Sequence, residues 1–227
     1  MISVILPTRD DETALAYALA ALVPAAADGT IREVIVVDLG STDGTAAVAD
    51  AAGCRFVAAR GPLGAELASA ADSARSDWLL FISPRVVLEP SWQREAQEFI
   101  DRTLMAGGGR RLRAAAFRHA RAGYGWRERM GEFGAALRAR LLFAPYHEEG
   151  LLVPRRLYRE VGGHRALPAF VDADLARRIG RSRLTFLRAR AVLSGEAADA
   201  PRGAKAFVRL VLFALRVPPR LFGRLAA

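Results

Sequence analysis

Over the first ninety residues, apolar and polar positions alternate in blocks. Four short apolar runs, rich in β-branched or aromatic residues, fall at 2–6, 33–37, 54–58 and 78–82. Each has the length and composition of a buried strand. Between them, 13–22 carries Leu15, Leu19 and Leu22 at helical spacing, 45–52 stops at Gly53, and 65–74 is alanine-rich. Strands alternating with helices predict an α/β fold in which parallel strands are joined by right-handed crossovers, a Rossmann-like layer. In open sheets of this kind ligands gather outside the carboxyl ends of the strands. The residues following each run are therefore the ones to inspect: Pro7, Thr8, Arg9 and Asp10, then 38–44, then Ser83, Pro84 and Arg85.

The second half is less regular. An amphipathic segment covers 126–143, and a short apolar run covers 150–153. A helix opened by Pro154 is closed by Gly162 and Gly163. A further helix is expected over about 169–179, carrying Asp172 and Asp174, and a late strand over 184–187. No internal repeat or low-complexity linker interrupts the chain, so one domain is expected over 1–203. A basic amphipathic tail, 204–227, follows it and is broken by Pro218 and Pro219.

Composition narrows the classes. A chain of 227 residues with 52% hydrophobic content sustains a packed core. The net charge of +9 suits anionic partners, but Lys205 is the only lysine, and an arginine- and alanine-rich bias of this kind arises from coding composition as well. The arginines of 110–140 follow helical spacing and accompany no nucleic-acid-binding module, so no nucleic-acid partner is expected. Cys54 is the single cysteine, which excludes an internal disulfide and a thiolate metal cluster and fits a reducing cytoplasm. The N-terminus has no basic leader region, and its apolar run is too short for a signal peptide or a membrane span. The apolar run 207–215 is also too short to span. Two readings of it stand: a helix lying on an anionic membrane surface at the inner face, or one packed on the domain's own core.

The most specific local signal is EVIVVDLGSTDGTAAVADAAG, residues 33–53. Gly40, Ser41, Asp43 and Gly44 suit a strand-to-helix turn and the cap of its helix. That accounts for the turn but not for Asp38. A carboxylate at a strand's carboxyl end can accept a hydrogen bond from the imide N–H of a pyrimidine or from a ribose hydroxyl.

SVILPTRDDETALAYALAAL, EVIVVDLGSTDGT and GLLVPRRLYREVGGHRALPAFVDADLARRIG, in that order and spacing, resemble family 2 glycosyltransferases with a GT-A fold. The resemblance runs from about Ile2 to about Ser194, and PYHEEGLLVPRRLYREVGGH looks most like the radical-SAM/selenodomain-associated transferase subgroup. It implies a nucleotide-sugar donor, of UDP type before GDP, and a hydroxyl acceptor that the sequence does not identify. Pro7 and Thr8 match the strand end that lines the family's nucleobase pocket, and Asp38 matches its base-contacting aspartate. Gly40, Ser41 and Asp43 complete that side. Asp172 matches the aspartate of the family's Glu-Asp pair, the general base of an inverting displacement. Without the family match, Asp172 reads as an exposed charge near a helix N-terminus, favoured by the helix dipole.

The departures matter as much. Where the family places an Asp-X-Asp element to hold Mg²⁺ or Mn²⁺, this chain has Ser83-Pro84-Arg85. The glutamate before the catalytic aspartate is Val171, and Leu63 and Ala68 fall near positions where the subgroup has arginine and asparagine. A guanidinium repels a divalent ion, so no metal is assigned. Arg85 either pairs with the donor's phosphates or points to solvent from a proline-kinked loop. His147, Glu148 and Glu149 are adjacent and do not converge on one ion as a His-x-x-x-His pair does. His119 and His164 stand alone in the sequence, with no serine or cysteine motif to form a hydrolase triad. GPLGAEL lacks the lysine of a phosphate-binding P-loop. Two functions remain: a glycosyltransferase with an altered metal site, or an inactive GT-A-like module that binds a nucleotide or a partner.

Overall fold

The computed structural model describes residues 1–105, 112–121, 150–168 and 171–193. The elements are β1 (Ile2–Thr8), α1 (Glu12–Ala27), β2 (Ile31–Asp38), α2 (Thr45–Ala51), β3 (Arg55–Ala58), α3 (Leu63–Ser73), β4 (Trp78–Phe81) and β5 (Val86–Leu88). They continue as α4 (Trp92–Met105), β6 (Ala114–Arg121), β7 (Leu151–Pro154), α5 (Arg155–Glu160), α6 (Val171–Ile179) and β8 (Leu184–Leu193). The eight strands form one sheet in the order β3-β2-β1-β4-β7-β6-β8-β5. The expected Rossmann-like layer is its first half, where β3, β2, β1 and β4 pair in parallel. Beyond β4 the sheet is mixed, because β7 runs antiparallel to both β4 and β6 while β6 and β8 are parallel.

Strand alternation divides the core between the two faces of this sheet. Val4 and Leu6 of β1, with Trp78 and Leu80 of β4, pack on one face with Leu15, Leu19 and Leu22 of α1 and Trp92 and Phe99 of α4. Ile5, Leu79 and Phe81 point the other way, into a cluster with Leu67 of α3, Leu157 and Tyr158 of α5 and Leu175 of α6. Coverage on both faces is what makes the central strands read as continuous apolar runs.

Several expectations are corrected by the register. The strand expected to stop before Pro7 runs through it to Thr8. Ile5 accepts from Ile82 on the β4 side and Thr8 from Leu39 on the β2 side. Pro7, two residues after Ile5, therefore turns its missing N–H toward β4, where pairing has already ended at Ile5 and Phe81. Residues 114–121, expected to be part of a helical basic segment, form a strand; Ala114, Ala115, Ala116 and Phe117 are all buried beneath both layers. β5 and α4 carried no assignment in the sequence, and β8 extends well beyond its expected end at residue 187. The helix opened by Pro154 and closed by Gly162 and Gly163 forms as expected, with both glycines at positive φ. The segment 126–143, the His147-Glu148-Glu149 run and the tail 204–227 lie outside the described residues. Among the described residues, no helix is long and apolar enough to cross a membrane.

Candidate functional site

β1 leads through α1 to β2 on one side, and β4 lies on the other, so the strand order reverses between β1 and β4. At such a switch point the two connecting loops part and leave a crevice outside the carboxyl ends. The β1 side of this crevice is the turn Arg9–Asp10–Asp11, and the β4 side is Ser83–Pro84–Arg85. Arg85 crosses it: its Nε donates to Asp11 Oδ1 at 2.7 Å. The Arg85 side chain is 51% exposed and the Asp11 carboxylate 9%. The half-exposed cation is thus paired across the crevice, with Asp11, a residue that no sequence motif singles out. Ser83 is buried, and its hydroxyl accepts the Arg85 N–H at 3.3 Å, which folds the loop so that Arg85 turns back toward β1.

The β1 and β2 loops are stitched to each other. Asp10, at φ 50, accepts from the Thr42 N–H at 2.7 Å, and its own N–H donates to Ser41 Oγ at 2.9 Å. The Glu12 N–H donates to Asp43 Oδ2 at 3.0 Å, and Glu12 Oε2 accepts the Gly44 N–H at 2.9 Å. A Cβ on Gly44 would lie 2.5 Å from the Glu12 carboxyl carbon, so any other residue there would push the Glu12 carboxylate off the Gly44 N–H. Asp43 accepts from the Thr45 hydroxyl and N–H, and these bonds, the hydroxyl foremost, hold its pKa below the ordinary carboxylate value.

Asp38 is buried at the end of β2. Thr8 Oγ1 donates to its Oδ1 at 3.4 Å, the Gly40 N–H to its Oδ2 at 3.2 Å, and the Ser41 N–H to its Oδ2 at 3.1 Å. The Ser41 hydroxyl also donates to Oδ1. Gly40 sits at φ 89, where a left-handed turn brings these N–H groups round to the carboxylate. Thr8, Asp38, Gly40 and Ser41 are thus brought together as expected, with Pro7 directly behind them, while Asp43 turns toward Glu12 and Thr45. Both Asp38 oxygens are engaged. Of their donors, the Ser41 and Thr8 hydroxyls are on rotatable bonds and can swing aside for a ligand.

On the far side of β4, Asp172 lies in the first turn of α6. It is not the exposed charge that a bare helix N-terminus would suggest, since its side chain is 8% exposed. His164 Nε2 lies 3.0 Å from Asp172 Oδ1, and His164 Nδ1 lies 3.0 Å from the Tyr158 hydroxyl. His164, which stood alone in the sequence, is therefore a paired residue with a fully buried side chain. Phe81, the last residue of β4, holds the imidazole edge-on with ring centroids 4.6 Å apart and stacks on Tyr158 at 5.5 Å. Burial pushes the Tyr158 hydroxyl up to about 12. The loop bearing His164 is pinned against the start of α3, where the Gly64 N–H donates to the Leu167 carbonyl at 3.0 Å. Phe81 therefore connects the Asp172 cluster to the same β4 carboxyl end from which Ser83 and Arg85 depart.

A divalent ion of the kind held by the family's Asp-X-Asp element does not fit these residues. The 83–85 loop supplies a hydroxyl and a guanidinium, and the nearest carboxylate in that crevice, Asp11, is paired with the guanidinium. Among the described residues no group of three or more His, Cys, Asp or Glu is placed to hold a metal.

Comparison with known proteins agrees with this fold. The chain resembles the crystal structure of glucosyl-3-phosphoglycerate synthase from Mycobacterium tuberculosis in complex with Mg²⁺ and UDP, at TM-score 0.66 and 20% identity, over 96% of this chain and 80% of that one. The same enzyme with Mn²⁺, UDP and glucosyl-3-phosphoglycerate superposes at TM-score 0.63 and 19% identity, over 96% and 81%. No protein of curated function matches the sequence. The model of glycosyl transferase family 2 matches residues 3–162. With most of the chain matched and the GT-A architecture in place, the protein belongs to glycosyl transferase family 2.

Proposed function

We propose that the protein transfers a glycosyl group from a nucleoside-diphosphate sugar, UDP before GDP, to a hydroxyl acceptor. The observation that carries the reading is the buried Asp172 carboxylate, held by His164, which packs on Phe81 at the carboxyl end of β4. In this reading the acceptor oxygen attacks the anomeric carbon as Asp172 takes the hydroxyl proton. The bond from that carbon to the diphosphate oxygen breaks, and its electron pair leaves with the nucleoside diphosphate. A single displacement of this kind inverts the anomeric centre.

The leaving group gains negative charge as the bond breaks, and a fixed cation beside it lowers the barrier. Arg85 is assigned that part, in place of a divalent ion. Its guanidinium keeps its charge near neutral pH and pairs with phosphate oxygens as a planar fork. Pro7, Thr8, Asp38, Gly40, Ser41, Asp43 and Ser83 shape the donor pocket, with Asp38 reaching the base once the Ser41 hydroxyl turns away. UDP in the similar structures supports the uridine preference.

The test is release of nucleoside diphosphate from a panel of UDP- and GDP-sugars in EDTA. Phosphoglyceric acid, which one similar structure holds beside UDP, heads the acceptors. Asp172→Asn keeps the shape but not the base, and is expected to lower turnover by roughly 100-fold or more. Undiminished turnover in Asp172→Asn removes Asp172 from the chemistry. UDP binding with no turnover on any sugar leaves a binding module instead of a transferase.

A further inference from the structure

The Tyr158, His164 and Asp172 contacts contain a direction that the distances alone do not state. The backbone N–H of His164 donates to the Tyr158 hydroxyl oxygen at 2.9 Å. That oxygen is then an acceptor toward the backbone, and its own proton is available to the other close partner, His164 Nδ1 at 3.0 Å. With Nδ1 accepting this proton every polar group of the cluster has a partner, and the neutral ring then carries its hydrogen on Nε2 and donates it to Asp172 Oδ1. Tyr158, with its hydroxyl pushed up to about 12 by burial, stays a donor throughout the working pH range.

We propose that Tyr158 and His164 are positioning residues that fix one tautomer and one carboxylate orientation, so that Asp172 Oδ1 is blocked and Oδ2 is the atom that meets the acceptor hydroxyl. This rests on the reading of Asp172 as the base. Two further observations favour it over a merely satisfied core histidine. Asp172 Oδ2 has no hydrogen-bond partner among the described residues, while Oδ1 is engaged by His164. The imidazole also meets Phe81 edge-to-face, and Tyr158, its hydroxyl partner, is held close to the turn at Gly163, where a Cβ would lie 2.9 Å from the Tyr158 ring. A ring so held cannot turn over to present its other nitrogen without moving Tyr158. A general base gains from such a fixed partner because its reacting oxygen is aimed before the acceptor arrives.

The first arm of the test needs no substrate. ¹⁵N NMR of the histidines, with the His164 signals assigned by their loss in His164→Gln, is expected to show Nε2 protonated and Nδ1 bare at neutral pH. Tyr158→Phe is expected to release the ring into a mixture of tautomers at an unchanged fold, checked by its melting curve. A wild-type ring protonated on Nδ1, or a ring indifferent to Tyr158→Phe, overturns the proposal whatever the activity.

The second arm uses UDP-glucose, with water as acceptor, and reads UDP release. His164→Phe removes the donor but fills the space, and is expected to lower kcat by about 10- to 100-fold with KM within about twofold. His164→Gln, whose amide can donate in place of Nε2–H, is expected to recover part of it. Equal kcat in His164→Phe and wild type overturns the positioning role. A correct tautomer with full turnover in Asp172→Asn would instead sink the reading of Asp172 as base, and the two failures are told apart by which arm moves.

Discussion

Arg85 and Asp11 lie 74 positions apart and meet across the crevice, which alters what each can do. An arginine held at Nε by a half-buried partner loses less side-chain entropy on taking up a phosphate than one that must be ordered from solvent. Arg85→Lys keeps a charge but neither the Nε contact to Asp11 nor the fork, and is expected to recover only part of the UDP affinity lost in Arg85→Ala, as read by calorimetry. At Asp38 the same reasoning gives a double effect. Asp38→Ala removes the acceptor of the Gly40 and Ser41 N–H groups together with the base contact proposed for it. UDP affinity is expected to fall by about one to two decades, alongside a loss of about 1–3 kcal/mol of stability in urea titrations. A stability loss with unchanged affinity would leave Asp38 a turn residue only. Tyr158 gives a pH effect whose sign is fixed. Its folded pKa of about 12 exceeds the ordinary value of 10. The stability tied to its neutral form is therefore complete below pH 10 and is lost as pH rises from there through 12, to a limit of about 3 kcal/mol. Cys54, also raised by burial, acts in the same direction. Melting curves of Cys54→Ser and Cys54→Ser/Tyr158→Phe across that window isolate the tyrosine, and parallel declines would contradict the assignment.

At the scale of elements, sequence pattern served where one physical signal dominated. The parallel strands β1, β2 and β4 are covered on both faces, so their runs of Ile, Val and Leu stand out, and glycines mark the ends of α2 and α5. The failures have causes. Residues 114–117 are Ala-Ala-Ala-Phe, whose three alanines favour helix by propensity, yet they lie in a strand because burial between β7 and β8 overrides the local preference. β5 was lost because three residues carry too little periodicity to be read at all. His164 was visible as a residue, but its partners Tyr158 and Asp172 come together only through the turn at Gly162 and Gly163 and the packing on Phe81. Gly64 shows how closely that loop is held. A Cβ there would lie 1.8 Å from the Arg165 carbonyl oxygen. In an unconstrained helix Gly→Ala stabilises by roughly 0.5–1 kcal/mol. Here Gly64→Ala is expected to cost about 1–3 kcal/mol, because backbone has to move. A gain in the urea midpoint would show that the loop is looser than its contacts imply.

For the whole molecule, alternation of strands and helices was enough to give the α/β class and the edge of the sheet where ligands gather, and the family resemblance supplied the GT-A architecture. What the sequence could not supply was the order in which strands lie side by side. That order puts the reversal between β1 and β4 and so brings Asp11 opposite Arg85. We propose that 1–203 folds as one unit, and a chain ending at 203 is expected to keep its melting temperature within a few degrees and its affinity for UDP. The central claim is that this crevice takes a nucleoside diphosphate with Arg85 in place of a metal ion. Calorimetry of UDP and of uridine in EDTA, on the wild type and Arg85→Ala, tests it most directly. The account predicts that wild type binds UDP without a divalent ion, that adding Mn²⁺ changes this little, and that Arg85→Ala weakens UDP by about tenfold or more while leaving uridine nearly unchanged. UDP binding that appears only with Mn²⁺ and is indifferent to Arg85→Ala would contradict it.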